Sequence, residues 1–520
     1  MKHLTLALII FLVLPLQAEI KPSTLFSDHM VLQRDIPIPV WGDAEPGERV
    51  TVRIKGRRAS AKADQQGRFF VKLRKMKAGG PYKMTISGKK NKVVINDVYV
   101  GEVWFASGQS NMDMTVARED RYWCGVHNEA GEVAGANFPK IRIFDVDFRP
   151  TNKVQRNAIG KWEVTSPQTV GRFSAVAYFF ARDLYERYRV PIGVITSAYG
   201  ASAAETWISR EALEAQPALR NLLDAYHAKF NKFVADSVAL MTQYRKEMLK
   251  YNENVAAAKA AAGDVNASPG IRAPRHPNPE LNQHNPYVCF NGMIAPVIPY
   301  GIRGAIWYQG ESNGPTANQY RQIMETLVAD WRARWGLGNF PFLYVQLANH
   351  GKPMEKPVEH SNMMTVREAQ LLNLSIPNTA MVTAIENAKD NPTDIHPKNK
   401  QDIGYWLALT ARAKAYGEKL VYSGPMMRDY RRESMAVRIF FEHTGSGLKA
   451  KNGQVTGFAI RGEDGEWHWA EARIESTTVL VWSPMVEKPV EIRYAWGTNP
   501  PASLHNAEGL WTPNFRFEVK

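Results

Sequence analysis

The sequence is poor in cysteine: only Cys124 and Cys289 occur among its 520 residues. Two thiols cannot build a disulfide scaffold or a four-cysteine zinc site, and spacing alone does not show whether they pair. No internal repeat is apparent, and no H-E-x-x-H segment or Cys/His cluster indicates a metal. These absences argue against repeat architectures, disulfide-stapled folds and zinc enzymes.

Long hydrophobic runs are also rare, and the longest lies at the start of the chain. The first eighteen residues read MKHLTLALIIFLVLPLQA, with an apolar stretch over residues 4–14, then Pro15, and Ala18 before the expected cleavage site. This pattern is typical of a secretory signal peptide, and the run is short for a membrane span. We expect a secreted or periplasmic mature protein starting near Glu19, with no membrane span. A retained N-terminal anchor is the alternative.

Charge and composition indicate an ordinary globular protein with a basic surface. Lysine and arginine number 65 against 51 acidic residues, giving a formal charge of +14, while 44% of residues are hydrophobic and 11% aromatic. Such usage excludes a disordered chain, and the length predicts two to four domains. The basic residues are scattered and no nucleic-acid-binding motif occurs, so no nucleic-acid partner is expected. Steering of an acidic glycan remains an alternative use of the charge.

Turn residues and strand patterns divide the mature chain into three domains. Residues 19–97 carry short β-branched and aromatic segments between Gly, Pro, Asp and Asn, which predicts an N-terminal β-sandwich. Strand and helix patterns alternate over residues 98–416, which predicts a parallel α/β sheet. Residues 210–290 form an expected helical insertion ending in a proline-rich loop near the site. Strand patterns return over 417–520, predicting a C-terminal β-domain.

Two strand ends carry the residues of a nucleophilic hydrolase. Ser110 follows the first predicted core strand, at a turn that can expose its hydroxyl above the sheet. His396 lies between a later strand and helix, where it can act as general base toward Ser110 and then as general acid. Asp394 is the nearest carboxylate that can orient the imidazole, and Asp390 is a spare. Ligands of parallel sheets bind beyond such strand ends. Each serine or histidine alone is more simply a turn residue.

Two further strand ends offer donors for an oxyanion. Gly200 follows the strand predicted at 192–197, and a glycine lets the backbone approach a ligand closely. Gln309 and Asn313 follow the strand predicted at 304–309 and add side-chain amides. Each donor aimed at the developing charge contributes about 10²–10³ in rate. Four strand ends with complementary chemistry predict an acyl-transfer site.

Together these segments resemble the SGNH hydrolases, and within them the sialate O-acetylesterase family. The matching segments run through nearly the whole mature chain: SDHMVLQ at 27–33, GEVW at 101–104, SGQSNM at 107–112, WYQGESN at 307–313, DIHP at 394–397 with NK at 399–400, and GL at 509–510. The resemblance implies an SGNH-type three-layer α/β/α core with a parallel sheet, flanked by N-terminal and C-terminal β-domains. It also implies removal of O-acetyl groups from sugars, sialic acids in particular, without a metal or organic cofactor.

The resemblance assigns a role to each segment. Ser110 corresponds to the nucleophile and His396 to the base, with Asp394 as its orienter. The oxyanion hole would comprise Ser110, Gly200, Gln309 and Asn313, and substrate contacts would come from Gln109, Asn111 and Glu311. Two departures from the usual pattern stand out: Asp-x-His replaces Asp-x-x-His, and Gly200-Ala201-Ser202 replaces Gly-Gly-Ser/Thr.

Three alternatives stay open at this stage. Ser312 lies in a G-x-S-x-G segment, which is the nucleophile pattern of α/β-hydrolases. The substrate can be an acetylated plant polysaccharide such as xylan or pectin, because pocket loops set specificity. The chain can also be a non-catalytic carbohydrate-binding protein. The sequence gives no indication of oligomeric state.

Overall fold

A computed structural model of the chain describes residues 19–119, 121–262, 271, 273–357, 360–386 and 393–520. The predicted signal peptide and Asp390 lie outside the described residues. Within these ranges, no helix combines the length and the apolarity needed to cross a bilayer.

The first part of the chain forms two small antiparallel β-arrays, in the orders β1-β3-β6 and β5-β4-β7. Strand β6 alternates exposed and buried positions, so that Phe69, Val71 and Leu73 face the core while their neighbours face solvent. Such alternation is expected of a sheet that has one face exposed to solvent and the other packed on the core. The strands are β1 (Lys21–Pro22), β2 (Val31–Gln33), β3 (Ile38–Asp43), β4 (Arg49–Ile54), β5 (Arg57–Lys62), β6 (Arg68–Leu73) and β7 (Gly79–Ser87).

Strand β8 (Lys92–Gly108) joins this region to the core without a break. Its first half pairs with β7, and its second half, from Glu102 to Gly108, pairs with a core strand. The predicted domain boundary after residue 97 falls inside this single strand. One strand therefore fixes how the N-terminal β-region sits on the sheet that carries Ser110.

The core sheet has six parallel strands in the order β9-β11-β8-β12-β13-β14, and β10 pairs antiparallel with β9 at the edge. Strands β12 and β13 are buried along their entire length, as expected where helices cover both faces. All six carboxyl ends meet at one edge. The strands are β9 (Phe138–Asp145), β10 (Trp162–Thr165), β11 (Ile192–Ala198), β12 (Gly304–Tyr308), β13 (Phe342–Gln346) and β14 (Thr379–Thr383).

Helices cover both faces of this sheet. The rings of Trp104 and Phe180 lie 5.0 Å apart, whereas those of Phe105 and Trp331 lie 5.3 Å apart. Because successive strand residues point to opposite faces, α3 and α6 lie on opposite sides of β8. The predicted three-layer α/β/α class is confirmed. The helices are α1 (Ser110–Asp113), α2 (Glu129–Ala134), α3 (Ala175–Tyr188), α4 (Arg210–Glu214), α5 (Arg220–Ala262), α6 (Tyr320–Trp335), α7 (Asn362–Leu372) and α8 (Lys400–Lys414).

The helical insertion is built mainly from α5. Pro217 opens a short 3₁₀ turn, Pro217–Leu219, that separates α4 from α5. Leu223 and Tyr226 anchor the start of α5, since both are buried, whereas Val238 further along is exposed. The long helix thus leaves the core after its first turns and stands beside the proline-rich loop.

The last part of the chain forms two four-stranded antiparallel sheets with their own apolar core. Arg367 of α7 donates to the carbonyls of Gly497 and Leu347, which ties this region to the loop after β13. The strands are β15 (Met426–Glu433), β16 (Ala436–Glu442), β17 (Leu448–Ala450), β18 (Phe458–Arg461), β19 (Trp467–Trp469), β20 (Glu471–Glu475), β21 (Thr478–Trp482), β22 (Glu491–Tyr494), β23 (Leu504–Asn506) and β24 (Phe515–Glu518).

The two cysteines do not pair. Cys124 and Cys289 are both buried free thiols. Burial raises the pKa of Cys289 to about 12, so this thiol stays protonated and inert near neutral pH.

Candidate active site

Ser110 lies at the carboxyl end of β8, as the first residue of α1. The strand ends at Gly108, whose φ of +145° suits glycine, and an added Cβ there would lie 2.1 Å from the carbonyl oxygen of Tyr308. The next residue, Gln109, donates its backbone N–H to the same carbonyl at 3.0 Å. Glycine at 108 therefore lets β8 turn tightly against β12, and the turn presents Ser110 at the sheet edge.

The acid/base loop lies between β14 and α8. Asp394 Oδ1 accepts the backbone N–H of His396 at 2.9 Å and lies 3.2 Å from its Nδ1. With Nδ1 carrying the proton, this carboxylate orients the ring and leaves Nε2 as the basic nitrogen. The ring of Trp123 packs 4.8 Å from that of His396. The two-residue spacing of Asp394 and His396 thus permits a direct contact.

His396 is held in its neutral form. Burial and, to a smaller extent, the charge of Lys400 lower its pKa to about 4, although Asp394 opposes both effects. An imidazole that is neutral near pH 7 is ready to accept a proton. Ser110 and His396 are both described residues, and their side chains are not hydrogen-bonded to each other. Catalytic hydrogen bonds often tighten only once substrate has bound.

Asn111 joins the nucleophile turn to the acid/base loop. Its Nδ2 donates to Glu311 Oε1 at 2.6 Å and to the carbonyl of Ile395 at 3.1 Å, and its Oδ1 accepts from Lys400 Nζ at 2.8 Å. The residue after Ser110 is therefore bonded to the residue before His396. The sequence alone predicted Asn111 as a substrate contact, whereas its amide is fully engaged with protein groups.

Lys400 completes this connection from the start of α8. Its Nζ also donates to the carbonyl of Pro397 at 2.6 Å, and its side chain is fully buried. Burial lowers its pKa to about 7, and Glu311 opposes that shift. Lys400 was not among the site residues predicted from the sequence. The sequence does carry a signal for it. Lys400 follows His396 closely and stands at a helix start, where the positive charge of a lysine is unfavourable for the helix dipole.

Gly200 lies beside the nucleophile. A Cβ built on Gly200 would lie 3.7 Å from Ser110 Cβ and 4.0 Å from Asp113 Oδ2. The following residue, Ala201, has a φ of +56°, in the left-handed region that favours glycine. Ala201, at the position where the family usually has glycine, thus lies in a backbone region that glycine adopts more readily than alanine.

Gln309 and Asn313 form a buried amide network. Gln309 Nε2 donates to the Ser202 carbonyl at 3.1 Å and to Asn313 Oδ1 at 2.6 Å. Asn313 Nδ2 donates to Glu205 Oε2 at 2.8 Å and to Thr316 Oγ1 at 3.0 Å. Both side-chain amides thus donate all of their hydrogens to protein acceptors. In this arrangement they hold the Gly200 loop and do not present side-chain donors to an oxyanion, in contrast to the sequence prediction.

Gln109 presents the free amide that these two residues lack. Its Oε1 accepts the backbone N–H groups of Gly310 and Ser312 at 3.2 Å each. Its Nε2 donates to no protein acceptor among the described residues. Glu311 is placed differently, because its Oε2 is buried with no hydrogen-bond partner among the residues that the structure describes, and burial raises its pKa. Gln109 is therefore the better placed of the two to contact substrate.

A charged group beside α1 was not predicted from sequence. Asp113 Oδ2 pairs with Arg121 Nη1 at 3.1 Å, and Arg121 lies 5.0 Å from the ring of Trp123. Asp145 lies at the carboxyl end of β9, and burial raises its pKa to about 7. Asp113 and Arg121 are eight residues apart and do not share a helix, so no helical i,i+4 spacing signalled the pair. Arg121 thus contacts both Asp113 of α1 and the ring of Trp123, which packs on His396.

The chain is similar to known esterases along most of its length. Residues 290–412 match the family model described as a carbohydrate esterase, sialic acid-specific acetylesterase. The sialate O-acetylesterase of Mus musculus is 27% identical over 545 residues, covering 96% of this chain and 94% of the mouse protein. The Homo sapiens enzyme is 27% identical over 441 residues, covering 78% of this chain and 73% of its own.

A solved structure extends the similarity to the whole fold. The carbohydrate acetylesterase from Xanthomonas citri is 34% identical, with a TM-score of 0.78, covering 96% of this chain and 100% of that one. This chain belongs to the sialate O-acetylesterase family. It is a carbohydrate O-acetylesterase and thus a carboxylic-ester hydrolase. The sequence predictions of family, fold class and reaction class are confirmed, and the alternative of a non-catalytic binding protein is set aside.

The range that matches the family model, residues 290–412, begins before β12 and ends in α8. It therefore includes the Gln309 network, Glu311, the acid/base loop and Lys400. Ser110 and Gly200 lie outside that range, directly after β8 and β11.

Proposed function

We propose that the protein removes O-acetyl groups from sialic acids through an acetyl-enzyme on Ser110. His396 acts as general base and acid, and Asp394 orients its ring. The observation that carries the proposal is the hydrogen bond of 3.1 Å from Asn111 Nδ2 to the Ile395 carbonyl oxygen. This bond joins the residue after Ser110 to the residue before His396. The match to the sialic acid-specific family model supports the choice of sugar.

The first half-reaction transfers the acetyl group to the enzyme. Ser110 Oγ attacks the acetyl carbonyl carbon while His396 Nε2 takes the hydroxyl proton, which gives a tetrahedral oxyanion. The C–O bond to the sugar then breaks, and the imidazolium returns the proton to the leaving sugar oxygen. A water molecule then attacks the carbonyl carbon of acetyl-Ser110, with His396 again taking the proton and returning it to Ser110 Oγ. This step releases acetate. Asp394 stabilises the transient imidazolium without itself taking the proton.

Donors near Ser110 would stabilise the oxyanion. We assign this role to the Ser110 and Gly200 backbone N–H groups, and the free amide of Gln109 adds a side-chain donor. We assign Gln309 and Asn313 to holding the Gly200 loop, because their amide hydrogens are already bonded. Preorganised donors of this kind are often the largest single contribution to rate.

Ser312 is the competing nucleophile. It lies in a 3₁₀ segment, Glu311–Gln319, and its backbone N–H donates a hydrogen bond to Gln109 Oε1. Ser110→Ala should abolish trapping of an acetylated peptide by mass spectrometry, whereas Ser312→Ala should retain it. Loss of acetylation only in Ser312→Ala would overturn the assignment.

Substrate choice is tested by acetate release from O-acetylated sialic acids beside acetylated xylan and pectin, with Ser110→Ala as the blank. Preference for sialic acids supports the proposal, and preference for the plant glycans assigns the enzyme to those polymers instead. We further propose that the protein acts outside the cytoplasm after loss of its signal peptide. Sequencing of the secreted protein should then find an N-terminus near Glu19.

A further inference from the structure

A cavity of about 310 Å³ opens beside the nucleophile turn. Ala201 forms part of its wall, and Gln283, also in the wall, donates its Nε2 to the Gly200 carbonyl at 3.4 Å. Gly200 in turn lies against Ser110. The cavity is thus separated from the nucleophile by a single residue, and its volume lies in the range of small-ligand sites.

The proline-rich loop supplies the rest of the wall. His276 and His284 line the cavity together with Arg275, and the ring of Tyr244 on α5 lies 4.8 Å from that of His276. The backbone N–H of Ala203 donates to the Gln283 carbonyl at 3.2 Å, which fastens this loop to the one after β11. The insertion therefore shapes a space beside the site.

The charge of the cavity has one sign. None of its described wall residues is acidic, whereas Arg275 is an exposed guanidinium. Lys229 lies close enough to lower the pKa of His284, which burial and Arg275 also lower. Neutral imidazoles and the Asn282 and Gln283 amides can both donate to and accept from hydroxyl groups. A cation among such groups fits an acidic sugar better than a neutral one.

We propose that this cavity holds the carboxylate-bearing part of an acidic O-acetylated sugar, with Arg275 pairing the carboxylate while the acetyl ester reaches Ser110. The inference rests on the proposed function and names the residue that would select for acidity. A planar guanidinium can bond both oxygens of a carboxylate at once, which a neutral methyl ester cannot match.

Binding tests the cavity independently of turnover. N-acetylneuraminic acid and its methyl ester are titrated by calorimetry into Ser110→Ala protein with and without Arg275→Gln. We expect Arg275→Gln to weaken binding of the acid about tenfold and that of the ester less than twofold. Arg57→Gln removes the same charge from an exposed strand far from the site and should change neither affinity.

Two outcomes would overturn the inference: no preference of the Ser110→Ala protein for the acid over its ester, or an equal effect of Arg275→Gln on both ligands. Hydrolysis of acetylated sialic acid by wild-type protein is measured alongside. If hydrolysis is absent while the acid still binds, the proposed function is overturned but the role of the cavity is not. If hydrolysis is normal but the affinity for the acid does not depend on Arg275, the role of the cavity is overturned and the proposed function stands.

Discussion

Asn111 Nδ2 lies 3.1 Å from the carbonyl oxygen of Ile395, and this bond joins two segments 284 residues apart in sequence. Each partner is adjacent to a proposed catalytic residue, Ser110 on one side and His396 on the other. The same amide bonds Glu311 and Lys400. One side chain therefore links the segments that carry the proposed nucleophile and base.

Replacing Asn111 by alanine should lower kcat strongly. The variant loses all three hydrogen bonds of the amide, so the acid/base loop is free to move away from Ser110. A displacement of about 1 Å can cost about 10²-fold in rate, and we expect a loss of that order. Steady-state kinetics with a simple acetyl ester measure it.

Asn506→Ala is the matched control for that variant. Asn506 is also fully buried, and its amide bonds the carbonyls of Ser423 and His443 and the N–H of Leu510. It lies in the C-terminal β-region, so this variant should lose stability while the folded fraction keeps its kcat. Equal kcat values in the two variants would contradict a special role for Asn111.

The pH dependence of kcat/KM should reveal the environment of His396. The base must be neutral to act, and its pKa is lowered to about 4, so activity should hold down to mildly acidic pH and fall to half near pH 4. The charged groups acting on the ring are Lys400 and Lys398, which lower its pKa, and Asp394, which raises it. A fall to half near pH 6.5 would contradict this environment.

Lys400→Met should move that acid limb to higher pH. The lysine pKa is about 7, so Lys400 is charged throughout the range where His396 titrates. Without that charge the imidazolium forms more easily, and we expect a shift of roughly 1 pH unit. Lys414→Met, near the end of the same helix, is the control and should leave the limb in place. A structural defect alone would lower the plateau without moving the limb.

Much of the fold could be predicted from sequence because local patterns determine it. The strands predicted at 192–197 and 304–309 agree to within one residue with β11 and β12. Strand β9 was missed, although it neighbours β11, since residues 138–145 mix proline, lysine and arginine with the apolar residues. The domain boundary predicted after residue 97 falls inside β8 because Asn96 and Asp97 interrupt its apolar pattern, yet pairing with β7 continues on both sides.

The candidate site was predictable only in part for the same reason. Ser110, Gly200 and His396 follow strands, and strand ends can be placed from sequence. The bonding of Gln309 and Asn313 depends on Ser202 and Glu205, which approach only in the folded chain. Arg121 and Lys400 act through partners that no spacing rule connects to them.

Asp394→Asn tests the orienter. The amide keeps the shape of the side chain but cannot stabilise the imidazolium, so we expect kcat to fall on the order of 10²–10⁴-fold with KM little changed. Asp402→Asn is the matched control, because this exposed carboxylate at the start of α8 bonds only locally, to Asn399. If Asp394→Asn retains wild-type kcat, the orienting group must be sought elsewhere, with Asp390 first.

Gly200→Ala tests whether the space beside Ser110 is used in the reaction. The added methyl group would meet Ser110 Cβ at 3.7 Å, an ordinary contact, so the fold should tolerate it. The same methyl group would occupy the region where we place the acetyl group and its oxyanion. We expect the thermal midpoint to change little and kcat/KM to fall by about 10–100-fold. Gly314→Ala is the control, since its added Cβ would lie 3.8 Å from Asn362, away from Ser110. Equal kcat/KM in both variants would show that the space beside Gly200 is not where the acetyl group reacts.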